Sequence, residues 1–131
     1  GFRREPLRIM TGLFDASLHL PANRLPELFC GFPRRRGGGP VEYAEACAPQ
    51  AWSSATLYGV LGAVLGLSID AGTKRVRVER PALPRYVGHL EIHGLAVGAG
   101  SVDLRFERNY QGLTSTIPLA VRGEVEVTIR P

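Results

Sequence analysis

The sequence predicts an α+β fold, with helices and loops in its first half and a small antiparallel β-sheet in its second. Apolar residues recur at helical spacing before residue 70, and they alternate with polar residues after Gly72. A hydrophobic content of 44% and a charged content of 21% are typical of a globular chain, which excludes disorder. We therefore expect a helical part over residues 1–70 and a β-region over residues 71–131.

The first helix is predicted for residues 6–20. Seven apolar residues there follow an approximately helical spacing: Leu7, Ile9, Met10, Leu13, Phe14, Leu18 and Leu20. Pro6 suits the first turn, where its missing N–H costs no hydrogen bond, and Pro21 ends the pattern. Residues 32–49 show no periodicity, and a long ordered loop of this kind is usually functional.

The second predicted helix, residues 49–67, is unusual because no residue from Ala48 to Ser68 carries a charge. A helix that is apolar on every side is normally buried on every side, and one neighbouring helix cannot surround it. Small residues at every fourth position give it one smooth side: Ala51, Ala55, Gly59 and Ala63. We expect a core helix of something larger, and the polar residues in its first turns argue against a membrane span.

Four segments of period two predict strands, each with one buried and one exposed face. Their apolar positions are Val76 and Val78, Leu90 and Ile92, Val102, Leu104 and Phe106, and Val125, Val127 and Ile129. Turn residues separate the segments at 81–84, 98–100, 109–112 and 123. The pattern indicates a small antiparallel sheet whose apolar face packs against the helices.

Charge and cysteine content exclude several classes of function. The net charge of +4 and a pI near 9.6 would suit a nucleic-acid binder. The one tight basic cluster, Arg34–Arg36, however leads into Gly37–Gly39 with no aromatic residue among them. Cys30 and Cys47 lack zinc-ligand spacing, so we expect free, partly buried thiols in a reducing compartment. With no signal peptide at the first residues, the sequence predicts a cytoplasmic protein that binds neither nucleic acid nor membrane.

Three residues near the start of the second helix could serve a sugar site. Glu27 lies between two leucines and follows Pro26, and a rigidly held carboxylate suits a general base that activates water. A salt-bridged or helix-capping glutamate is the structural alternative. Trp52, the only tryptophan, could stack on a sugar ring or fill the core, and Gln50 could donate to a sugar hydroxyl or cap the helix.

Other residues offer weaker alternatives. Glu42 and Glu45 could replace Glu27 as the carboxylate, with Tyr43 lining a pocket. Two histidines and a carboxylate, which together are a metal-ligand set, would share one strand face: His89, Glu91 and His93. An exposed polar face explains those three residues as well, so we expect no metal and no cofactor.

Two segments together resemble the C-terminal end of the glycogen debranching enzyme (amylo-α-1,6-glucosidase) family, in particular its bacterial and archaeal members. The first is residues 24–32, which contain L-P-E-L, and the second is residues 46–55, which contain C-x-P-Q-A-W-S. A weaker likeness continues through the β-region.

The resemblance implies a fold and a mechanism. The glucosidase part of the family is an (α/α) six-hairpin toroid, so the charge-free helix would be its closing inner helix, followed by a small antiparallel β-sheet. The L-P-E-L glutamate acts as the general base in an inverting hydrolysis of α-1,6 branch points of glycogen or limit dextrin, a role that falls on Glu27. Gln50 and Trp52 match the helix start near the pocket and would bind substrate. The general acid belongs to an earlier helix whose motif has no match here.

Two alternatives stay open. One is a non-catalytic carbohydrate-binding or interaction module built on the β-half, and the other is a related toroid glycosidase with another glucoside substrate. Because the chain supplies one carboxylate of the two, we expect no glucosidase activity from it alone. Because the charge-free helix needs cover, we also expect the chain to self-associate or to be held by another chain.

Overall fold

The computed structural model of the chain describes residues 4–131, which divide into two compact units, residues 4–61 and residues 62–131. The elements of these residues are α1 (Arg4–Ser17), a short 3-10 helix (Pro21–Asn23), α2 (Ala51–Val64), β1 (Leu67–Asp70), β2 (Arg75–Glu79), β3 (His89–Val97), β4 (Gly100–Arg108), β5 (Thr114–Arg122) and β6 (Glu126–Arg130). The first unit contains α1 and most of α2, and the second contains all six strands.

The core of the first unit forms where one side of α1 meets α2 and the chain between them. Its buried members, with Leu13 and Phe29 packed against them, are Ala16, Leu20, Leu25 and Leu57. Helix α1 ends at Ser17, three residues before the pattern predicts, and the Ser17 hydroxyl donates to the carbonyl of Phe14 at 2.8 Å. Leu20 still reaches the core from the turn that follows, and Met10 is buried. Ile9, Phe14 and Leu18 of the same apolar pattern are exposed, so the spacing identified the buried side only in part.

Helix α2 has 14 residues and is buried along one side. Leu57 and Val64 are buried there, whereas Trp52 is 83% exposed and Tyr58 78% exposed. The exposed side also carries the small residues of the smooth stripe: Ala51, Ala55, Gly59 and Ala63. Within residues 4–131, the expectation of a helix buried on every side is therefore wrong. Exposing alanine and glycine costs little because they present little apolar area, so the absence of charge did not require burial.

Gly66 ends the helical stretch earlier than the sequence pattern predicts. It adopts φ +59°, the left-handed conformation that is common just beyond a helix end, and the chain then enters β1 at Leu67. A Cβ at this position would lie 1.8 Å from the carbonyl oxygen of Glu79. The main chain at the end of β2 thus passes directly against Gly66, and Leu67, the last residue of the predicted helix, begins a strand.

The second unit contains two three-stranded sheets. In the sheet with strand order β1-β2-β6, β1 is antiparallel and β6 parallel to β2; the other sheet is the antiparallel meander β3-β4-β5. Both sheets supply side chains with no exposed surface: Val76, Val78, Val97, Val102, Leu104 and Phe106. The period-two pattern placed all of these residues except Val97 on the buried faces correctly; Val97 was not among the predicted positions.

The predicted (α/α) toroid is wrong. Residues 4–131 contain two α-helices and six strands in two small sheets, which is not a set of toroid helices. The prediction of one antiparallel sheet is wrong as well, because β6 runs parallel to β2 and the meander is a separate sheet. The toroid was implied by the family resemblance alone. The sheet was predicted from the apolar pattern, which determines which face of a strand is buried but not which strand or sheet it pairs with.

Candidate functional site

The two segments that carry the family resemblance are hydrogen-bonded to each other. The N–H of Glu27 donates to the carbonyl of Cys47 at 2.9 Å, and the N–H of Gln50 donates to the carbonyl of Leu25 at 3.0 Å. The hydroxyl of Ser54, in the first turn of α2, lies 3.5 Å from the same Leu25 carbonyl. Because the residue before Pro26 is kept out of a helical conformation, the segment runs extended alongside the start of α2.

Glu27 is exposed, and one hydrogen bond from the described residues reaches its carboxylate. The N–H of Cys47 donates to Oε2 at 3.4 Å, which is long for an N–H···O contact. No basic residue of the described part of the chain forms an ion pair with Glu27. Neither a salt bridge nor a helix cap within residues 4–131 therefore accounts for this glutamate. No described residue donates a hydrogen bond to Oε1, so this oxygen is available to water or a ligand.

Gln50 is half-buried directly before α2. Its carbonyl accepts the N–H of Ser54 at 3.0 Å, which makes it the N-cap residue of the helix. The side-chain Oε1 accepts the hydroxyl of Ser53 at 3.0 Å, and the amide nitrogen has no partner among residues 4–131. Capping and ligand binding are thus compatible. The main-chain carbonyl caps the helix and the side-chain Oε1 binds Ser53, while the side-chain amide nitrogen can still donate to a ligand.

A cleft of about 970 Å³ opens beside Gln50 within the first unit. Its lining combines apolar and aromatic side chains with neutral polar groups and one cation, and includes Phe14, Leu18, Asn23, Arg24, Gln50, Ser54 and Tyr58. The lining residues that the structure describes include no carboxylate, and neither Glu27 nor Trp52 is among them. Apolar walls with a few polar groups are typical of a small-molecule site.

Trp52 lies apart from this cleft. It is the second residue of α2 and is 83% exposed, so among the described residues it neither lines the cleft nor fills the core. The structure thus joins the segments of Glu27 and Gln50, and leaves the third predicted site residue at the surface.

The turn after α1 supplies cleft residues that sequence reasoning missed. Ala22 and Asn23 adopt φ +52° and +55°, and both line the cleft together with Arg24. Left-handed backbone is unfavourable for alanine and tends to persist where the surrounding structure requires it. Asparagine tolerates that conformation, but nothing in the sequence marks Ala22 as such a position.

The long loop between the two segments is held at its base and near its middle. The N–H of Cys30 donates to the carbonyl of Val41 at 2.9 Å, which closes the loop at its base. Arg34, near its middle, pairs with Asp15 of α1 and also donates to the carbonyl of Gly38 at 3.0 Å. The Arg34–Arg36 cluster is therefore partly engaged in holding the loop.

The alternative carboxylates of this loop, Glu42 and Glu45, are exposed, and so is Tyr43 between them. None of the three lines the cleft as the structure describes it. Both thiols are free and Cys30 is half-buried, as the sequence analysis predicted, whereas Cys47 is exposed.

On the polar face of β3 and β4, one of the three candidate metal ligands, Glu91, pairs with an arginine and with His93, and no arginine contact is seen for His89 among the described residues. Arg105 Nε donates to Glu91 Oε1 at 2.7 Å, and Arg105 Nη2 forms an ion pair with the same oxygen at 2.6 Å. The other oxygen of Glu91 lies 2.7 Å from His93 Nε2. The hydrogen bonds from Arg105, and then from His93, hold the pKa of Glu91 below its ordinary value. Among the described residues, no group of three or more histidine, cysteine and acidic side chains is placed to hold a metal ion.

Asp103 is the buried charge of the same face. Arg122 donates to both of its oxygens at 2.9 Å, and the N–H of Gly94 donates to Oδ1 at 2.7 Å. The register of both neighbouring strands shifts beside Asp103, and Gly94, at φ +65°, lies in the β3 irregularity. Hydrogen bonds from Arg122 and Gly94 hold the pKa of Asp103 well below its usual range. This arrangement is a satisfied structural network.

In comparisons with known proteins, no protein-family model, curated protein or solved structure matches this chain. None of the helices in residues 4–131 combines the length and the apolar character needed to cross a lipid bilayer.

Proposed function

We propose that this chain is the C-terminal portion of a glycogen debranching enzyme, a cytoplasmic glycoside hydrolase that cleaves α-1,6-glucosidic branch points with inversion. One observation carries the proposal. The segment of Glu27 and the segment of Gln50 are bonded to each other, so the two motifs of the resemblance form one local structure. The substrate class is α-glucan, and the reaction needs no cofactor.

In the proposed reaction, Glu27 is the general base. Its open Oε1 takes a proton from water, and that water attacks the anomeric carbon from the face opposite the leaving oxygen. A second carboxyl group, roughly 6.5–9.5 Å away in inverting enzymes, protonates the glycosidic oxygen as the bond breaks. The resemblance assigns that acid to another segment of the enzyme. The isolated chain is therefore expected to release no glucose from limit dextrin, and release by the purified chain would overturn this assignment.

The cleft beside Gln50 supports a neutral sugar as the ligand. A glucose ring presents C–H faces to apolar or aromatic side chains and hydroxyl groups at its rim, and Phe14, Tyr58, Asn23 and Gln50 offer both kinds of partner. In this proposal the exposed ring of Trp52 stacks on a further glucose unit outside the cleft.

The experiment is an NMR titration of the isotope-labelled 131-residue chain with two ligands. Isomaltose, a neutral α-1,6-linked disaccharide, should shift amide resonances around Gln50 and Asn23. The cationic iminosugar 1-deoxynojirimycin should shift those of Glu27 and Cys47, because its ammonium group pairs with the carboxylate. Glu27→Gln should weaken iminosugar binding roughly tenfold or more, while isomaltose binding is retained.

Glu45→Gln is the matched control, since Glu45 is an exposed glutamate of the neighbouring loop and its change should leave both affinities unaltered. Shifts confined to residues 62–131 would instead support the alternative of a carbohydrate-binding module on the β-half. An equal loss of affinity in Glu27→Gln and Glu45→Gln would contradict a specific role for Glu27.

A further inference from the structure

Cys47 meets Glu27 at two points, one on the main chain and one on the side chain. The N–H of Glu27 donates to the Cys47 carbonyl at 2.9 Å, and the N–H of Cys47 donates to Glu27 Oε2 at 3.4 Å. In an antiparallel bridge, the second donor would meet a backbone carbonyl. Here the carboxylate takes that place, so the direction of the Glu27 side chain is tied to the Cys47 peptide.

The Cys47 peptide is itself held from both sides. Before it, the N–H of Ala46 donates to the carbonyl of Tyr43 at 3.0 Å; after it, the N–H of Gln50 donates to the carbonyl of Leu25 at 3.0 Å. Leu25 is 3% exposed and belongs to the core of the first unit. The donor that reaches Glu27 is thus anchored to the core, whereas the Cys47 side chain is exposed.

We propose that Cys47 is a positioning residue for Glu27 and acts through its peptide N–H, not through its thiol. The inference rests on the proposed role of Glu27 as general base. Holding Oε2 restricts rotation of the carboxylate and leaves Oε1 to receive the proton from water. Hydrogen bonds to ionised acceptors are strong, and bonds that are long in an unliganded site tighten when substrate binds. Any residue except proline can supply this donor.

The contact is tested first without ligand, by the Cys47 amide resonance in NMR spectra. In Glu27→Gln the acceptor becomes neutral and weaker, so this resonance should move upfield, whereas Glu45→Gln should leave it in place. A Cys47 resonance that is the same in all three chains would overturn the proposal, whatever the outcome of the sugar titrations.

The role is then tested with Cys47→Pro, which removes the N–H, and Cys47→Ser, which keeps it. Cys47→Pro should weaken 1-deoxynojirimycin binding roughly two- to tenfold with isomaltose affinity unchanged, and Cys47→Ser should bind both ligands as the parent chain does. If Cys47→Pro does not fold, Glu27→Asp replaces it, since the shorter side chain keeps the charge but draws the carboxylate away from the Cys47 N–H. Loss of affinity in Cys47→Ser would assign the effect to the thiol and refute the proposal.

The two proposals fail in different ways. If the parent chain binds neither ligand, the proposed function fails and the positioning role falls with it, although the Cys47 resonance still reports the contact. If the parent chain binds both ligands and the proline, aspartate and serine variants match it, only the positioning role is refuted.

Discussion

Asp103 keeps its charge on the polar face of β4 because three N–H groups meet it. Two come from the Arg122 guanidinium and one from the main chain of Gly94. A buried carboxylate without such donors would be costly, and here every donor favours the ionised form. The pKa of Asp103 is accordingly held well below its ordinary value of 3.8 by Arg122 first and Gly94 second.

This depressed pKa predicts how stability depends on pH. Near and below pH 4, Asp103 takes up a proton in the unfolded chain but not in the folded chain. The ionised Asp103 therefore contributes fully to the free energy of unfolding above that pH, and this contribution is lost as the pH falls toward the folded-state pKa. Asp103→Asn should be less stable than the parent near neutral pH and should lose less stability on acidification. Urea unfolding followed from about pH 6 to pH 2 measures this difference.

Glu124→Gln is the control for that experiment. Glu124 pairs with Lys74, but its side chain is 87% exposed, and exposed ion pairs contribute little. Its pH curve should follow that of the parent chain. Parallel curves for Asp103→Asn and the parent chain would contradict the role given to Asp103.

At the scale of elements, the junction between α2 and β1 depends on Gly66. Gly66→Ala combines a left-handed backbone, at a cost of about 1–2 kcal/mol, with overpacking against Glu79, at about 1–3 kcal/mol. Gly12→Ala, in α1, has open space around the added methyl group and should stabilise the chain by about 0.5–1 kcal/mol. Denaturant unfolding should show that Gly66→Ala lowers the free energy of unfolding and that Gly12→Ala raises it. Two changes in the same direction would refute this account of the junction.

The strands show how much of the fold the sequence could predict. Alternation of apolar and polar residues identified β2, β3, β4 and β6. The burial itself alternates clearly in β2 and along most of β3, whereas β4 has no exposed residue and β6 no buried one. The alternation in sequence missed β1, whose residues continue the uncharged run of α2, and β5, where Pro118 and a register shift beside Asp103 interrupt the period. The parallel pairing of β6 with β2 was not predictable, since side-chain alternation is the same in both directions.

Part of the candidate site was likewise predictable from the sequence, and part was not. Residue chemistry and the two motifs of the family resemblance suggested Glu27 and Gln50. The contact between their segments depends on hydrogen bonds of main-chain atoms, which carry no side-chain signal. The cleft beside Gln50 also depends on the left-handed turn at Ala22 and Asn23, a conformation that alanine gives no reason to expect.

For the whole molecule, the uncharged outer side of α2 is the feature that bears on assembly. Its four small residues form a smooth stripe beside Trp52 and Tyr58, and the described residues leave this side exposed. Ala51, Ala55 and Tyr58 also line the cleft, so association through this side and glucan binding would compete. Small residues let a second helix approach closely, and exposed aromatic rings gain most from being covered. We therefore keep the proposal that the chain associates with itself or with another chain, and place the contact on α2.

Self-association should appear in sedimentation velocity as a sedimentation coefficient that rises with concentration. Trp52 is the only tryptophan of the chain, so its emission should be water-like at low concentration and shift to the blue as the helix becomes covered. Ala63→Lys places a charge on the stripe and should weaken both effects because the charge would have to be desolvated. Ala44→Lys, on the exposed loop, adds the same charge elsewhere and should change neither. Self-association would be refuted if the chain stayed monomeric and the Trp52 emission did not shift at any concentration. That result would show that α2 remains uncovered and that the chain is soluble nonetheless.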